Sequence, residues 1–248
     1  MTPRILTRAI PDWIKSPAKR LLFGKVNGGP FAGMRYVQTA CCSAFPPKVL
    51  GTYEMEVWDC LAPCLQWKGG LFVDVGAAEG YYAVGMLVRN PSLRTVAFEA
   101  EPESRKVLAE LGNLNGVAGR LEMKGFATHA ELESVLSGKT HVFALIDIEG
   151  GEFDLLDPVL VPSLRRVPFL VEIHDWFHPD RDADTLFKSR FEATHEIIEI
   201  KARAPKPDDI ANPFWRWVAR TNRTIAGRLL NERPPIMRWF NLIPRQTK

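Results

Sequence analysis

The run Leu71-Phe-Val-Asp-Val-Gly-Ala-Ala-Glu-Gly-Tyr-Tyr-Ala-Val-Gly-Met-Leu-Val88 leaves few folds open to this chain. It reads as a buried strand, a tight glycine turn and the start of a helix. A second apolar run, Thr95-Val-Ala-Phe98, ends in Glu99, about 25 residues after Asp74. Glycines let backbone approach a ligand, and an acid at the next strand end accepts hydrogen bonds from ribose hydroxyls. Doubly wound α/β folds hold nucleoside cofactors in this way. The dinucleotide form, G-x-G-x-x-G, seats a pyrophosphate on the helix N-terminus. Here the loop is Gly76-Ala-Ala-Glu-Gly80, and Glu79 is expected to repel a pyrophosphate. A ribose-bearing cofactor with a cationic centre and no phosphate fits better, and S-adenosylmethionine (SAM) has those properties.

The 248 residues, 46% hydrophobic and 25% charged, suffice for one α/β domain with a full core. A net charge of +3 does not by itself imply a nucleic-acid partner. Residues 1–25 and 201–248 are basic, so the middle of the chain is acidic. Cys41, Cys42, Cys60 and Cys64 lack C-x-x-C spacing and a neighbouring histidine. They read as reduced thiols of a cytoplasmic protein, not as a zinc site. No apolar run approaches the roughly 18 residues of a membrane span. Pro3, Pro11, Asp12 and Pro17 interrupt the N-terminus, which lacks a signal-peptide core. Its Ile5, Leu6, Ile10, Trp13 and Ile14 leave peripheral membrane contact open.

Residues 1–50 are expected to form an arm and a small hairpin, with Phe31–Val37 as one strand, and residues 51–248 the main domain. Thr52 reads as the N-cap of a helix over Tyr53–Trp67, kinked at Pro63. Alternation of strand and helix then begins. Strands are expected over Leu71–Val75, Arg94–Glu99, Leu121–Lys124, His141–Asp147 and Val167–His174. Helices are expected over Tyr81–Val88, Pro102–Asn113, Thr128–Leu136 and Glu152–Leu160. Asp184–Arg190 reads as a helix, and His195–Arg203 and Ile236–Ile243 as strands. A basic, Trp-rich insertion at 208–232 carries one helix over Phe214–Leu230. The sum is a Rossmann-like α/β fold. Its seven-stranded sheet is mostly parallel, with an antiparallel last strand pair.

The segments VDVGAAEGYYA, FEAEP, LIDIEGGEFDLL and LVEIHD resemble, in order and spacing, the FkbM family of SAM-dependent methyltransferases. GPFAGMRY and LGTYEMEV are similar to that family's lead-in, and RPPIMRWFNLIP to its closing strand. The resemblance covers roughly 28–203 and 233–245. It implies the class I methyltransferase fold and SAM as cofactor. Asp74, Gly76 and Gly80 would surround the methionine part, Glu99 the ribose, and Gly125-Phe126 the adenine. Ala77, Tyr81 and Ala100 would line the same pocket, Asp147 would sit beside the methionine or the acceptor, and Glu54 would reach in. O-methylation of a sugar, glycan or small hydroxylated metabolite is the implied reaction. Two features depart from the family: Ala78 stands where Asn is frequent, and the Trp-rich insertion has no counterpart.

Methyl transfer to a hydroxyl needs in-line positioning and a destination for the proton. The strand ends Asp147-Ile-Glu149 and Glu172-Ile-His174 are expected to adjoin, bringing Asp147, Glu149 and His174 to one edge of the pocket. His174 is the expected base, since its ordinary pKa lies near 6.5, with Glu149 and Asp147 assisting. Asp147, Glu149, Glu172, His174 and Asp175 would also suit magnesium or manganese. The metal-free reading is preferred, and no metal ligand is assigned. No Asn/Asp-Pro-Pro-Tyr/Phe follows the fourth strand and no cysteine ends a strand nearby, which argues against adenine-amine and C5-pyrimidine methylation. The acceptor is therefore expected to be a small molecule or glycan. The alternative is an RNA methyltransferase or nucleic-acid-binding relative that uses Trp215, Arg216, Trp217, Arg220, Arg223 and Arg228. A protein that keeps the fold without activity is a third class.

Overall fold

The computed structural model describes residues 24–41, 43–177, 179–180, 182–232 and 237–245. Seven strands form one sheet: β1 (Gly70–Val75), β2 (Leu93–Phe98), β3 (Leu121–Lys124), β4 (Val142–Ile146), β5 (Phe169–Ile173), β6 (His195–Lys201) and β7 (Arg238–Pro244). Their order is β3-β2-β1-β4-β5-β7-β6. The first five run parallel to one another, and β7 runs antiparallel to both β5 and β6. This is the Rossmann-like architecture of methyltransferases expected from the strand–helix alternation.

Strand residues point alternately to the two faces of a sheet, and here both faces are covered. Phe72, Phe143, Leu145, Leu170 and Trp239 enter one core. Val73, Val75, Ala144, Ile146, Val171 and Phe240 enter the other. That is why β4 is an unbroken apolar run, buried at every position. Helix α1 (Phe45–Leu50), the short α2 (Trp58–Leu61), α3 (Tyr81–Arg89) and α4 (Pro102–Leu114) contribute to the first core. Helices α5 (His129–Leu136), α6 (Glu152–Leu155) and α7 (Ala183–Phe191) contribute to the second. Val26, Phe31, Met34 and Tyr36 share the first core with Tyr81 and Leu87, so the lead-in to α1 packs on the sheet rather than apart from it.

Several elements are shorter than their sequence pattern suggests. Phe31–Val37 makes a turn and one antiparallel bridge, Lys25 to Arg35, instead of a full strand. Thr52 caps nothing: it is buried, and Glu54, at a φ of 47°, precedes a 3-10 turn over Met55–Val57. The left-handed residue at its entry and Pro63 near its end break the expected 53–67 helix into α2 and two 3-10 turns. Helix α6 ends at Leu155 because Asp157 precedes Pro158, and a residue before proline disfavours the helical region. Arg190 Nη1 then donates to the freed carbonyls of Phe153 and Leu156, at 2.7 and 3.0 Å.

The expected single helix at 214–230 is two, α8 (Pro213–Thr221) and α9 (Arg223–Leu229). Asn222, extended at φ −134° and ψ 101°, ends the first, and its side chain accepts from Ile225 N to cap the second. Ala219 and Leu229 dock the pair on Leu50 through a small separate apolar cluster with Ile210. Residues 1–23 and Ile236, on which the arm and the start of the last strand were expected, lie outside the described residues. No helix among the described residues is long and apolar enough to cross a membrane.

Candidate cofactor-binding site

The strand order reverses between β1 and β4, and in open α/β sheets ligands bind at such a switch, beyond the carboxyl ends of the strands. A cavity of about 500 Å³ lies there. Its walls come from the residues that follow β1, β2, β3 and β4, with Lys48 and Tyr53 from the segment around α1. The glycine turn is built for close approach. Gly76 has a φ of +92°, and a Cβ there would fall 1.7 Å from the Asp147 carbonyl oxygen. Its N–H and that of Ala77 both donate to Phe98 O at 2.9 Å, so the loop is strung between β2 and β4. Gly80, at φ +94°, packs against Leu108.

Glu99 stands one residue past β2. Its Oε2 accepts from Ala78 N at 2.7 Å and its Oε1 from Glu101 N at 2.8 Å. Each carboxylate oxygen has two acceptor positions, so each keeps one for a hydroxyl. Ala78 reaches its bond to Glu99 only at a φ of 49°. Asn tolerates this left-handed region better than Ala.

Asp74, Gly76, Ala77, Tyr81, Glu99, Ala100, Phe126 and Asp147 all line the cavity, and so do Gly125 and Glu149. Gly80, Glu54 and His174 do not. Gly80 supports the turn from behind. Glu54 is buried and accepts a hydrogen bond from Tyr82 OH at 2.5 Å, close to Asp147 and Glu172. Sequence reading missed Lys48, Tyr53, Tyr82, Cys41, Ser43, Thr128, His129 and Asp154 in the wall. Only Thr128 carried a local signal, its capping box with Glu131.

Glu79 has a different place from the one expected. It is fully buried, receives Tyr36 OH at 2.6 Å and Cys41 N at 2.9 Å, and pairs with Lys48 Nζ at 2.5 Å. It is absent from the cavity wall, so it cannot itself turn a pyrophosphate away. Other acids do face the cavity: Asp74, Glu99, Asp147, Glu149 and Asp154, with Lys48 as the lysine among them. Burial pushes the Asp74 carboxyl up to about 8, with Asp147 and Glu99 adding to the rise and a backbone bond at Ala83 and Lys48 opposing it. Asp74 Oδ2 is buried and has no hydrogen-bond partner. A carboxyl with one unpartnered oxygen, in an acidic, partly apolar cavity, suits a ligand with a cationic centre and an aromatic base.

His174 is fully buried one residue past β5, behind the wall rather than in it. Its Nδ1 lies 2.7 Å from Glu152 Oε1, which also accepts from Ile148 N and Gly150 N at 3.1 and 3.2 Å. Burial lowers the pKa of the imidazole, but the bond to Glu152 and the charges of Asp147, Glu152 and Glu149 outweigh it, so the net shift is upward. A histidine so held is a poor direct base for a ligand in the cavity, contrary to the role expected from its position in the sequence. Asp147 and Glu149, which it backs, are the members of the trio that reach the cavity.

On α8, Arg216 donates to Ile210 O at 2.8 Å, Arg220 pairs with Asp208 at 2.6 Å, and Trp215 packs partly against the core. Much of the interleaved aromatic and basic set is thus engaged within the chain. Trp217 is 62% exposed.

No protein-family model and no curated protein sequence matches the chain. Solved structures do. A protein classed as an O-methyltransferase from Klebsiella pneumoniae aligns at 12% identity over 77% of this chain and 79% of that one, with a TM-score of 0.51. A protein classed as a transferase from Pyrococcus horikoshii aligns at 13% identity over 76% and 63%, with a TM-score of 0.46. TYW2 of P. horikoshii, in complex with MeSAdo, aligns at 14% identity over 73% and 60%, with a TM-score of 0.45. The chain thus spans under two thirds of the length of the two P. horikoshii proteins. At such identities the likeness to the first speaks for the fold alone, and that fold is the class I methyltransferase architecture.

Proposed function

We propose that the chain is a SAM-dependent methyltransferase acting on a hydroxyl of a sugar, glycan or small hydroxylated metabolite. The observation that carries this reading is the acidic cavity at the sheet's switch point, closed by the Gly76 turn and bordered by Glu99 and by Asp74 with its unpartnered Oδ2. When bound, SAM supplies an electrophilic methyl group on a sulfonium. Glu99 would take the ribose hydroxyls with the acceptor positions its backbone partners leave over. Phe126, Ala100 and Gly125 would border the adenine. Asp74, Gly76, Ala77 and Tyr81 would surround the methionine part, with Gly80 and Glu54 supporting them. Asp147 and Glu149 front on the acceptor side, where a carboxylate can receive the hydroxyl proton. His174 does not reach the acceptor in this scheme; it stands behind both acids, its Nε2 3.5 Å from Glu149 and 3.6 Å from Asp147. The resemblance of the ordered motifs to FkbM proteins supports an oxygen acceptor.

Calorimetric titration of the purified chain with SAM tests the reading. We expect micromolar binding, weakened by about 1.5–3 kcal/mol in Glu99→Ala, the range for hydrogen bonds to a charged group, and unchanged in the exposed Glu103→Ala. Wild-type protein that ignores SAM but binds NAD would overturn it. Transfer of labelled methyl from SAM to polyhydroxyl acceptors, and not to RNA, is the expected activity.

A further inference from the structure

The turns after β4 and β5 bring a second set of groups together behind the cavity. His174 has no exposed surface. Its Nδ1 faces Glu152, and a carboxylate can only accept, so the proton of a neutral ring sits on Nδ1 and the Nε2 lone pair points the other way. Nε2 is buried without a hydrogen-bond partner. Three carboxylate oxygens stand around it: Glu149 Oε2 at 3.5 Å, Asp147 Oδ1 at 3.6 Å and Glu172 Oε2 at 3.7 Å. These are long for hydrogen bonds. They suit neighbouring ligands of one cation, since bonds of about 2.1–2.6 Å at right angles put ligand atoms about 3.0–3.7 Å apart. The ligand atoms of Asp147, Glu149 and His174 lie within 4.8 Å of one another. An imidazole that gives its other N–H to a carboxylate is the usual form of a metal-binding histidine, because that bond fixes both tautomer and ring orientation.

We propose that Asp147, Glu149 and His174, with Glu172 beside them, bind one divalent cation, and that Glu152 orients the imidazole for it. An imidazole among carboxylates favours manganese over magnesium. A metal stood second to the metal-free reading of the sequence; the direction of Nε2 moves it forward. Asp147 and Glu149 also line the cavity, so the ion stands at its wall, where an entering hydroxyl oxygen can take a coordination position. The site is made by this chain's own side chains and does not depend on SAM being the cofactor.

The test is Mn2+ binding to the full chain, stripped with chelator and without SAM, read from loss of the free-ion electron paramagnetic resonance signal. We expect one ion per chain, displaced by excess Mg2+, and binding at least about tenfold weaker in His174→Gln and Asp147→Asn, as for lost metal partners. Glu149→Gln, at a side chain that is 57% exposed, should weaken binding while keeping the circular dichroism spectrum and thermal midpoint of the wild type. The exposed Asp59→Asn should match wild type. No signal loss up to millimolar Mn2+, or equal binding in folded Glu149→Gln and Asp147→Asn, overturns the site and leaves His174 as a buried cation for its carboxylate neighbours.

Discussion

At the scale of single residues, Asp74 is the group most altered by its surroundings. Its unfolded carboxyl titrates near 3.9, and burial, with Asp147 and Glu99 nearby and Lys48 opposing, pushes the folded one up to about 8. The folded state therefore holds its proton longer. The stability this contributes is complete below about pH 4 and declines as the pH rises toward about 8. Asp74→Asn cannot ionise, so its thermal midpoint should fall less over that window than the wild type's; parallel curves would dismiss the shift. A cation bound beside Asp74 favours the ionised form. SAM binding near pH 7 should then release protons, seen as a binding enthalpy that changes with the buffer's ionisation enthalpy, and Asp74→Asn should lose that dependence. Gly76 is constrained by sterics instead. A Cβ 1.7 Å from the Asp147 carbonyl oxygen meets backbone that cannot rotate away, so Gly76→Ala should cost at least about 2 kcal/mol in chemical denaturation and abolish SAM binding. A variant that binds SAM normally would mean the turn is slack.

At the scale of elements, Asn222 separates α8 from α9 by capping the second with its side chain. Asn222→Ala should lose about 1 kcal/mol in urea unfolding, the usual value of an N-cap, without touching SAM affinity. A coupled loss of affinity would tie the insertion to the cavity. Asn222 also shows why boundaries were harder to read than elements. The central strands were legible because an apolar run buried on both faces needs no partner information, and β4 falls within one residue of its expected bounds at each end. Helix ends were set by single backbone states: φ 47° at Glu54, the Asp157-Pro158 junction and the extended Asn222. Periodicity is blind to these. The site divides in the same way. The Gly76 turn, Glu99 and Asp147 were visible because strand ends carry them. Lys48 and Tyr53 enter the cavity by tertiary packing of α1 and its flank, which no local pattern signals. His174 was placed at the correct strand end but on the wrong side of the wall, because the sequence does not reveal that Glu152 turns its ring inward.

At the scale of the whole molecule, the cavity is the meeting point of segments that otherwise belong to different layers. Lys48 and Tyr53 come from the lead-in, Asp74–Tyr82 from β1 and α3, Phe98–Ala100 from β2, Gly125–His129 from β3, and Leu145–Leu155 from β4 and α6. A ligand filling about 500 Å³ between them ties both cores together across the sheet edge. Binding restricted to the folded state stabilises by about 2.7 kcal/mol at a ligand concentration of 100 times Kd. For a chain of 248 residues, each kcal/mol moves the midpoint by about 2–4 °C, so SAM at that level should raise the thermal midpoint by about 5–11 °C. Hydrogen exchange should slow in the five cavity segments. The antiparallel pair β6 and β7 and the helices α8 and α9 contribute no residue to the wall, and their exchange should change little. Protection that spread instead to α8 and α9 would mean the insertion folds over the ligand. A rise in midpoint with NAD but not SAM would assign the cavity to a different nucleoside.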